Sequence, residues 1–377
     1  MVEISVQRSS WRKWHSFAPT WERIHNLCPT ASFFISSEWV DCWLATFGET
    51  LNPDLLAFVR GGDVVGCCLL VWRTQWVRGI PLRRVYLNCA GENEADSTCI
   101  EFNALLSLPE YEEPVAQALI TYLRSRKWDE LLLPGMVEQG ALQIVAGTLG
   151  ANEVTEIPSY YIEFRGFRNP PVDFLGSLSP KTRHNIRRTQ RAFEEIGGAC
   201  TLRVAQSPEE ALGMLRQLAE LHQARWVGRG QAGAYSSAKF TQFHEMMIRQ
   251  KFDRTLLFRV QAGAEVVGVQ YSFLFRGWVY FYQCGFSYTL GPRRTPGLLT
   301  MCMTISHCLE RPDLRGFDFM ASDVEYKRSF ASTHHPLRWI VVRRRTAPTL
   351  LFCALRWLKR TLAPVLGSKS KQQPKAE

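Results

Sequence analysis

The chain has 377 residues, enough for two domains at roughly 100–200 residues each. Hydrophobic residues make up 46% and charged residues 21%, so the chain can build packed cores, which excludes wholesale disorder. The net charge of +10 arises at one end: residues 326–376 contain twelve Lys or Arg and no Asp or Glu. The nearly neutral remainder argues against a DNA-binding protein, whose folded domain should itself be basic.

The longest apolar run, Val64–Trp72, is much shorter than the about 20 residues that span a membrane. The N-terminus has no apolar stretch typical of a signal peptide. The 11 cysteines form no Cys-x-x-Cys pair and no zinc-binding spacing, so we expect reduced thiols, no metal and a cytoplasmic protein.

In the first half, Ser36 caps a predicted helix that ends at Gly48, and the segments that follow alternate between strands and helices. The predicted elements are a hairpin of Leu55–Val59 and Val64–Trp72, a strand at Arg84–Asn88, a helix at Glu112–Lys127, and strands at Asp129–Leu133 and Tyr160–Phe164. Arg165–Pro171, rich in Gly, Asn and Pro, is the predicted domain boundary.

The second half begins with Ser179-Pro180, a typical start of a helix. Further capping signals and apolar patterns predict helices at Pro180–Ile196, Pro208–Trp226, Lys239–Gln250 and Gly297–Leu309, a hairpin of Leu256–Val260 and Val266–Phe275, and strands at Val279–Cys284, Phe317–Met320 and Trp339–Arg343.

The two halves repeat one another. Leu55–Val71 aligns with Leu257–Phe273 at a constant offset of 202, and the same order of strand, loop, helix and buried strand follows each hairpin. We therefore expect two copies of one α/β unit with a mixed sheet, at residues 1–168 and 169–345, followed by a basic tail at 346–377.

The helix predicted at Pro180–Ile196 carries a stripe of arginines at i, i+4 and i+8: Arg183, Arg187 and Arg191. Like charges at this spacing repel, so a phosphate clamp explains the stripe better than a plain solvated surface does. We interpret Lys181, Arg183, Arg187 and Arg188 as substrate-binding residues.

A second candidate for phosphate binding precedes the helix at Gly297–Leu309. The free amides and partial positive charge of a helix N-terminus suit a pyrophosphate, and two arginines adjoin it. Arg293, Arg294, Thr295 and Gly297 are the cofactor-binding candidates here; the alternative is a plain turn.

Two further clusters carry candidate chemistry. His222, Trp226 and Arg229 at a helix end can wall an acceptor pocket, although a core-facing Trp and His are the alternative. After the late strand come Asp318, Glu325, Tyr326 and Lys327. The first three are candidates for the acid and base of acyl transfer, and Lys327 for cofactor binding; an ordinary charged turn is the alternative.

The chain resembles the GNAT acyltransferases, and within them the CelD-like or BioF-like acetyltransferases associated with cellulose biosynthesis, which are related to the Fem-like transferases. The resemblance rests on Phe33–Gly48, Leu178–Gly198, Leu221–Gly230 and Phe317–Ala331. It implies tandem GNAT-like units with the active cleft in the second and a degenerate, packing first copy. The usual Q/R-x-x-G-x-G/A pyrophosphate loop is absent from both halves.

The function that this resemblance implies is transfer of an acyl group, from acetyl-CoA or another acyl-CoA, to an amine or hydroxyl. The acceptor would be a sugar, a polysaccharide precursor or a related small molecule of the cell envelope. One alternative is a Fem-like transferase that uses aminoacyl-tRNA, which the neutral body disfavours. The other is a non-catalytic accessory protein of a polysaccharide-assembly complex, which the missing loop favours.

The tail predicts a basic amphipathic helix that opens at Pro348. Leu351, Leu355, Leu358 and Leu362 form one stripe, with Arg356, Lys359 and Arg360 off it and Trp357 at its flank. Such a helix, extended by Lys369, Lys371 and Lys375, fits peripheral contact of residues 348–375 with the inner face of an anionic membrane. In the alternative the leucines dock on the protein body and the lysines form a solvated end.

Overall fold

The computed structural model describes residues 3–168, 171–291 and 293–362. Its strands are β1 (Ser5–Ser10), β2 (Asp54–Arg60), β3 (Asp63–Val77), β4 (Ile80–Leu87), β5 (Leu106–Ser107), β6 (Glu130–Met136), β7 (Glu153–Glu163), β8 (Cys200–Val204), β9 (Thr255–Ala262), β10 (Glu265–Phe275), β11 (Trp278–Phe286), β12 (Gly316–Ala321) and β13 (His334–Arg343).

The helices are α1 (Trp14–Leu27), α2 (Ser37–Leu51), α3 (Glu112–Arg124), α4 (Ala141–Leu149), α5 (Arg165–Arg168), α6 (Phe174–Ser177), α7 (Pro180–Gly197), α8 (Pro208–Val227), α9 (Ala238–Gln250), α10 (Pro296–Leu309), α11 (Glu325–Arg328) and α12 (Ala347–Leu362). The predicted α/β class with a mixed sheet is confirmed. Side chains at Ser36, Ser179, Ser207 and Ser237 accept hydrogen bonds from the first turns of α2, α7, α8 and α9, as N-caps do.

The chain packs into two compact units. Unit 1 contains residues 3–157 and 336–362 of the described chain, and unit 2 contains residues 158–335 except the undescribed positions. In unit 1 the strands follow the order β1-β2-β3-β4-β6-β13, in which only the β4–β6 pair is parallel. Helices α3 and α4 cover this sheet, and Leu119 of α3 and Val145 of α4 share one core with Leu70 of β3 and Leu131 of β6.

Unit 2 repeats this arrangement. Its strands follow the order β7-β12-β11-β10-β9-β8, with β11–β12 as the parallel pair. Helices α8 and α9 lie between β8 and β9 in sequence, as α1 and α2 lie between β1 and β2, and α10 corresponds to α3. The core is built around Phe193, Phe258, Met301 and Phe317.

The repeated hairpins agree in detail. The register between β2 and β3 shifts at Val65, and the register between β9 and β10 shifts at Val267, which is the equivalent residue 202 positions later. The following glycines, Gly66 and Gly268, are equivalent too. A Cβ on Gly66 would lie 2.8 Å from the carbonyl oxygen of Leu106, and one on Gly268 would lie 2.5 Å from Oγ1 of Thr300 in α10, so both bulges end at a close approach. The tandem arrangement inferred from the repeat is confirmed.

The division between the units differs from the boundaries expected at 168/169 and 345/346. Unit 2 begins near Pro158, because residues Ser159–Glu163 of β7 pair with β12. The chain returns to unit 1 near Pro336, because Arg338–Arg343 of β13 pair with β6. The strand β7, which completes the sheet of unit 2, therefore follows α4 of unit 1 in the chain. The strand β13, which completes the sheet of unit 1, follows α11 of unit 2.

In the part of the chain that the structure describes, no helix is both long enough and apolar enough to span a membrane. Over the same residues, no three or more His, Cys, Asp or Glu side chains are grouped to hold a metal ion.

Candidate active site

The parallel strands of unit 2 separate along their length. Residues Trp278–Tyr280 of β11 pair with Gly316–Asp318 of β12, but β11 continues to Phe286 without pairing to β12. A cavity of about 650 Å³ opens where the strands have separated. Its lining comes from the end of β11, the start of α10, the adjoining faces of α7 and α8, and the segment after β12: Lys181, Asn185, His222, Arg225, Trp226, Gln283, Cys284, Phe286, Tyr288, Arg294, Thr295, Gly297, Glu325 and Tyr326 among others.

One end of this cleft is the N-terminus of α10. Gly297 lies against the ring of Phe286, where a Cβ would come within 3.0 Å of the ring, so a larger residue would displace the helix start from the strand. The backbone N–H of Thr295 donates to Oγ1 of Thr189 in α7 at 3.0 Å, which fixes the preceding loop. Arg294 lines the cleft beside this helix start. The loop therefore presents a side-chain cation together with the positive end of a helix.

An arginine groove of about 440 Å³ runs along α7. Its lining contains five arginines, Arg183, Arg187, Arg188, Arg191 and Arg294, together with His184 and the acidic Glu195. Arg294 lines both the groove and the cleft. The sequence prediction that the arginines form one surface agrees with this geometry.

Two of these arginines also brace the backbone. Arg183 donates to the carbonyl oxygens of Gly176 and Leu178, and Arg188 donates to that of Arg293. Arg187 and Arg191 are exposed. The stripe therefore combines cations that hold neighbouring loops with cations that face solvent.

His222 lies in the cleft wall on α8, with Trp226 one turn later. Its Nδ1 is 3.3 Å from Oε1 of Gln223, and Nε2 of Gln223 donates to the carbonyl of Ala232 at 2.7 Å. Because the second bond turns Oε1 toward the imidazole, Nδ1 carries the proton and Nε2 keeps its lone pair. Burial lowers the pKa of His222, so the ring is neutral near pH 7.

Tyr326, on α11 after β12, also lines the cleft. Burial, with a smaller contribution from Cys284, raises its pKa well above the usual value, so its hydroxyl remains a hydrogen-bond donor. Burial also raises the pKa of Cys284 to about 12, which disfavours a thiolate nucleophile there.

Glu325 lies at the rim of the cleft. Its carboxylate is 3.8 Å from Nζ of Lys181, and both side chains are largely exposed. Both residues therefore line the same cleft, but their side chains lie at its solvent-exposed rim and not at its buried floor.

Asp318 and Lys327 lie away from the cleft lining, which corrects the expectation that they act on substrate and cofactor. Oδ1 of Asp318 accepts from Ser159 Oγ at 2.6 Å and from the N–H of Met320 at 2.8 Å, and the residue is 1% exposed. Nζ of Lys327 donates to the carbonyl of Met320 at 2.8 Å. Both side chains hold the end of β12, where Met320 has a left-handed φ of 60°.

Two further candidates also lie elsewhere. Arg229 and Arg293 are exposed and line neither the cleft nor the arginine groove. Among the lining residues that sequence reasoning missed are Arg225, Gln283 and Tyr288. Arg225 stacks 4.8 Å from the centroid of the Tyr288 ring and donates to its hydroxyl. Its position on α8, between His222 and Trp226, was the available signal.

Unit 1 has a cavity at the equivalent place. It measures about 330 Å³, lies where β4 and β6 separate after Arg84–Tyr86, and is lined by three carboxylates: Glu92, Glu94 and Glu101. The first turn of α3, the counterpart of α10, carries Glu112 and Glu113. Carboxylates at this cavity and at the helix start oppose phosphate binding, whereas unit 2 has Arg294 beside its cleft and no acidic residue in the first turn of α10.

One known family matches part of unit 2. Residues 180–328 match the family model described as an acetyltransferase (GNAT) domain. This segment contains α7, the cleft and α11. This segment is therefore similar to GNAT acetyltransferase domains, and the prediction that the protein is an acyltransferase is confirmed. No curated protein sequence matches the chain.

Solved structures share the fold across both units. FemX superposes with a TM-score of 0.54 at 10% identity, covering 86% of this chain and 96% of FemX. L-PGS from Bacillus licheniformis gives a TM-score of 0.51 at 10% identity, covering 85% and 96%. A conserved protein of unknown function from Bacteroides thetaiotaomicron gives 0.54 at 9%, covering 91% and 100%. At these identities the likeness concerns the fold alone.

Proposed function

We propose that unit 2 transfers an acyl group from acyl-CoA, with acetyl-CoA the first donor to test, to an amine or hydroxyl of a phosphate-bearing envelope glycan or its precursor. The observation that carries this proposal is the separation of β11 from β12 directly beside Arg294 and the N-terminus of α10. Unit 1, with carboxylates at the equivalent positions, acts as a packing copy.

The donor fits the cleft in two ways. The edge of β11 beyond Tyr280 has backbone groups that no longer pair with β12, and these can bind the amides of an extended pantetheine arm as a neighbouring strand would. The start of α10 and Arg294 then bind the pyrophosphate. They take over the role of the missing glycine-rich loop.

The chain's own residues supply the proton chemistry. Nε2 of His222 accepts the proton of the acceptor amine or hydroxyl as the new bond to the acyl carbon forms. The carbon–sulfur bond breaks, and the hydroxyl of Tyr326 donates a hydrogen bond to the departing sulfur, which takes its proton from solvent. Glu325 and Lys181 at the rim orient the acceptor. This assignment replaces Asp318 as a catalytic residue.

The arginine groove favours an acceptor that carries phosphate. Its cations continue from the cleft through the shared Arg294, so an acceptor with a phosphate near its reactive group could occupy both. The resemblance to the acetyltransferases of cellulose biosynthesis supports a glycan as the remainder of that molecule.

Two other functions stay open to test. FemX shares the fold, and a Fem-like reaction would use aminoacyl-tRNA as the donor. An accessory protein with an inactive site is the second, favoured by the missing pyrophosphate loop.

Thermal unfolding with CoA, acetyl-CoA and aminoacyl-tRNA separates the three functions. Our proposal predicts stabilisation by CoA and acetyl-CoA of roughly 2.7 kcal/mol at about 100 times Kd. Stabilisation by aminoacyl-tRNA alone, or by none of them, would contradict it.

A further inference from the structure

Helix α12 meets unit 1 through a small part of its surface. Phe352, which is 7% exposed, packs against Ile80 and Leu82 of β4. Arg356, one turn later, forms two hydrogen bonds with the carboxylate of Glu153, at 2.7 and 2.9 Å. Arg356, the charged residue within Ala347–Leu358, therefore contacts unit 1 and is only partly exposed, at 30%.

The opposite surface of α12 is apolar and exposed. At 100° per residue, the positions facing away from Phe352 and Arg356 are filled by Leu350, Ala354, Trp357 and Leu358, and Leu351 and Leu355 lie at one edge of this surface. Leu350, Leu351 and Leu355 are 58%, 52% and 40% exposed. A surface helix normally buries its leucines and exposes its charged residues. Helix α12 has the reverse orientation: its leucines are exposed and Arg356 contacts the protein. This also corrects the alternative in which the leucines dock on the protein body.

Exposed large apolar side chains grouped on one helix mark an interaction site. The chain that follows identifies the partner, because residues 359–375 contain Lys359, Arg360, Lys369, Lys371 and Lys375 and no Asp or Glu. A face of leucines and a tryptophan next to a run of positive charge is complementary to an anionic lipid surface, whose acyl region takes the apolar side chains and whose headgroups attract the lysines.

We infer that the exposed face of α12, formed by Leu350, Leu351, Ala354, Leu355, Trp357 and Leu358, inserts into the interface of an anionic membrane. The helix lies flat on the membrane and does not span it, since Phe352 and Arg356 hold its other face against unit 1. The inference concerns unit 1 and α12 and does not depend on the acyl-transfer proposal.

The test is co-sedimentation of the full chain with vesicles of phosphatidylcholine, without and with phosphatidylglycerol. Wild-type protein should bind the anionic vesicles more strongly. Leu351→Ser with Leu355→Ser should weaken this binding by about tenfold or more, because each leucine loses burial in the acyl region. The control is Leu27→Ser, a leucine of unit 1 that is 55% exposed on α1 and should bind as wild type does.

A second variant separates insertion from attraction. Lys369→Glu with Lys371→Glu and Lys375→Glu should remove the preference for anionic vesicles, and added salt should do the same to wild type. Circular dichroism and thermal melting check that each variant is folded. Equal sedimentation of the leucine variant and wild type, or no sedimentation of wild type, would overturn the inference. So would a dimer in sedimentation velocity that the leucine variant disrupts without any vesicle binding, because the face would then join two copies.

Discussion

Gln223 sets the proton position of His222. Oε1 of Gln223 lies 3.3 Å from Nδ1 of the imidazole, and the amide cannot turn without breaking its 2.7 Å bond to the carbonyl of Ala232. The lone pair is thereby kept at Nε2. A buried, neutral imidazole of fixed tautomer in a cleft wall has the properties of a general base.

Replacing His222 with Ala should reduce kcat by about 10²-fold or more, the usual contribution of a general base. Wild-type kcat/KM should fall as His222 becomes protonated, and because burial lowers its pKa, this acid limb should lie below pH 6.5. Gln223→Leu should keep the imidazole but lower kcat by allowing the other tautomer. Steady-state rates across pH measure all three effects, with the exposed His15→Ala as control. Unchanged kcat in His222→Ala would remove it from the mechanism.

Two adjacent arginines should differ in donor binding. Arg294 lines the cleft beside the start of α10, whereas Arg293 is exposed and lines neither cavity. Arg294→Ala should raise the Kd for CoA by about tenfold, since charge-assisted bonds to phosphate contribute about 1.5–3 kcal/mol. Titration calorimetry gives the Kd directly, and Arg293→Ala serves as the matched control. Equal effects of the two substitutions would count against pyrophosphate binding at this loop.

Two substitutions in the arginine groove should differ in whether they affect stability or binding. Arg183 holds the carbonyls of Gly176 and Leu178, so Arg183→Ala should lower the free energy of unfolding by about 1 kcal/mol. Arg187 is exposed, so Arg187→Ala should leave unfolding nearly unchanged and weaken acceptor binding with a reduced dependence on salt. Urea unfolding and binding at several salt concentrations distinguish them. If both variants lose stability alike, the stripe is structural.

Asp318 should make stability depend on pH. Burial raises its pKa to about 6 in the folded protein, above the usual value of about 3.9. A raised folded pKa stabilises the protein below about pH 4, and this contribution is lost as pH rises through 6. Relative to Asp318→Asn, the wild type should lose up to about 3 kcal/mol between these limits, measured by urea unfolding. A constant difference across this pH range would show that Asp318 stays ionised.

The sequence predicted much of the fold because its repeated hairpin carries a local signal. The offset of 202 residues between Leu55 and Leu257 was enough to infer two units, and the equivalent bulges at Val65 and Val267 agree with it. The destinations of β7 and β13 could not be predicted. Both are ordinary strands by pattern, and nothing in the residues of Ser159–Glu163 states which sheet they complete.

The site was predicted in part for similar reasons. Arginines at helical spacing must share a face, so the groove followed from the sequence. Asp318 alternates with apolar residues in a strand, and only the bonds from Ser159 and Met320 show that it faces inward. The inverted orientation of α12 depends on the partner that Glu153 provides for Arg356, which is distant in sequence.

The central claim is that the donor binds between the separated strands of unit 2, and amide hydrogen exchange tests it most directly. With acetyl-CoA added, peptides covering residues 281–286 and 295–300 should exchange more slowly. The equivalent segments of unit 1, residues 87–92 and 109–115, should not change. Slowed exchange in unit 1, or no change at residues 281–286 and 295–300 at saturating acetyl-CoA, would contradict the account.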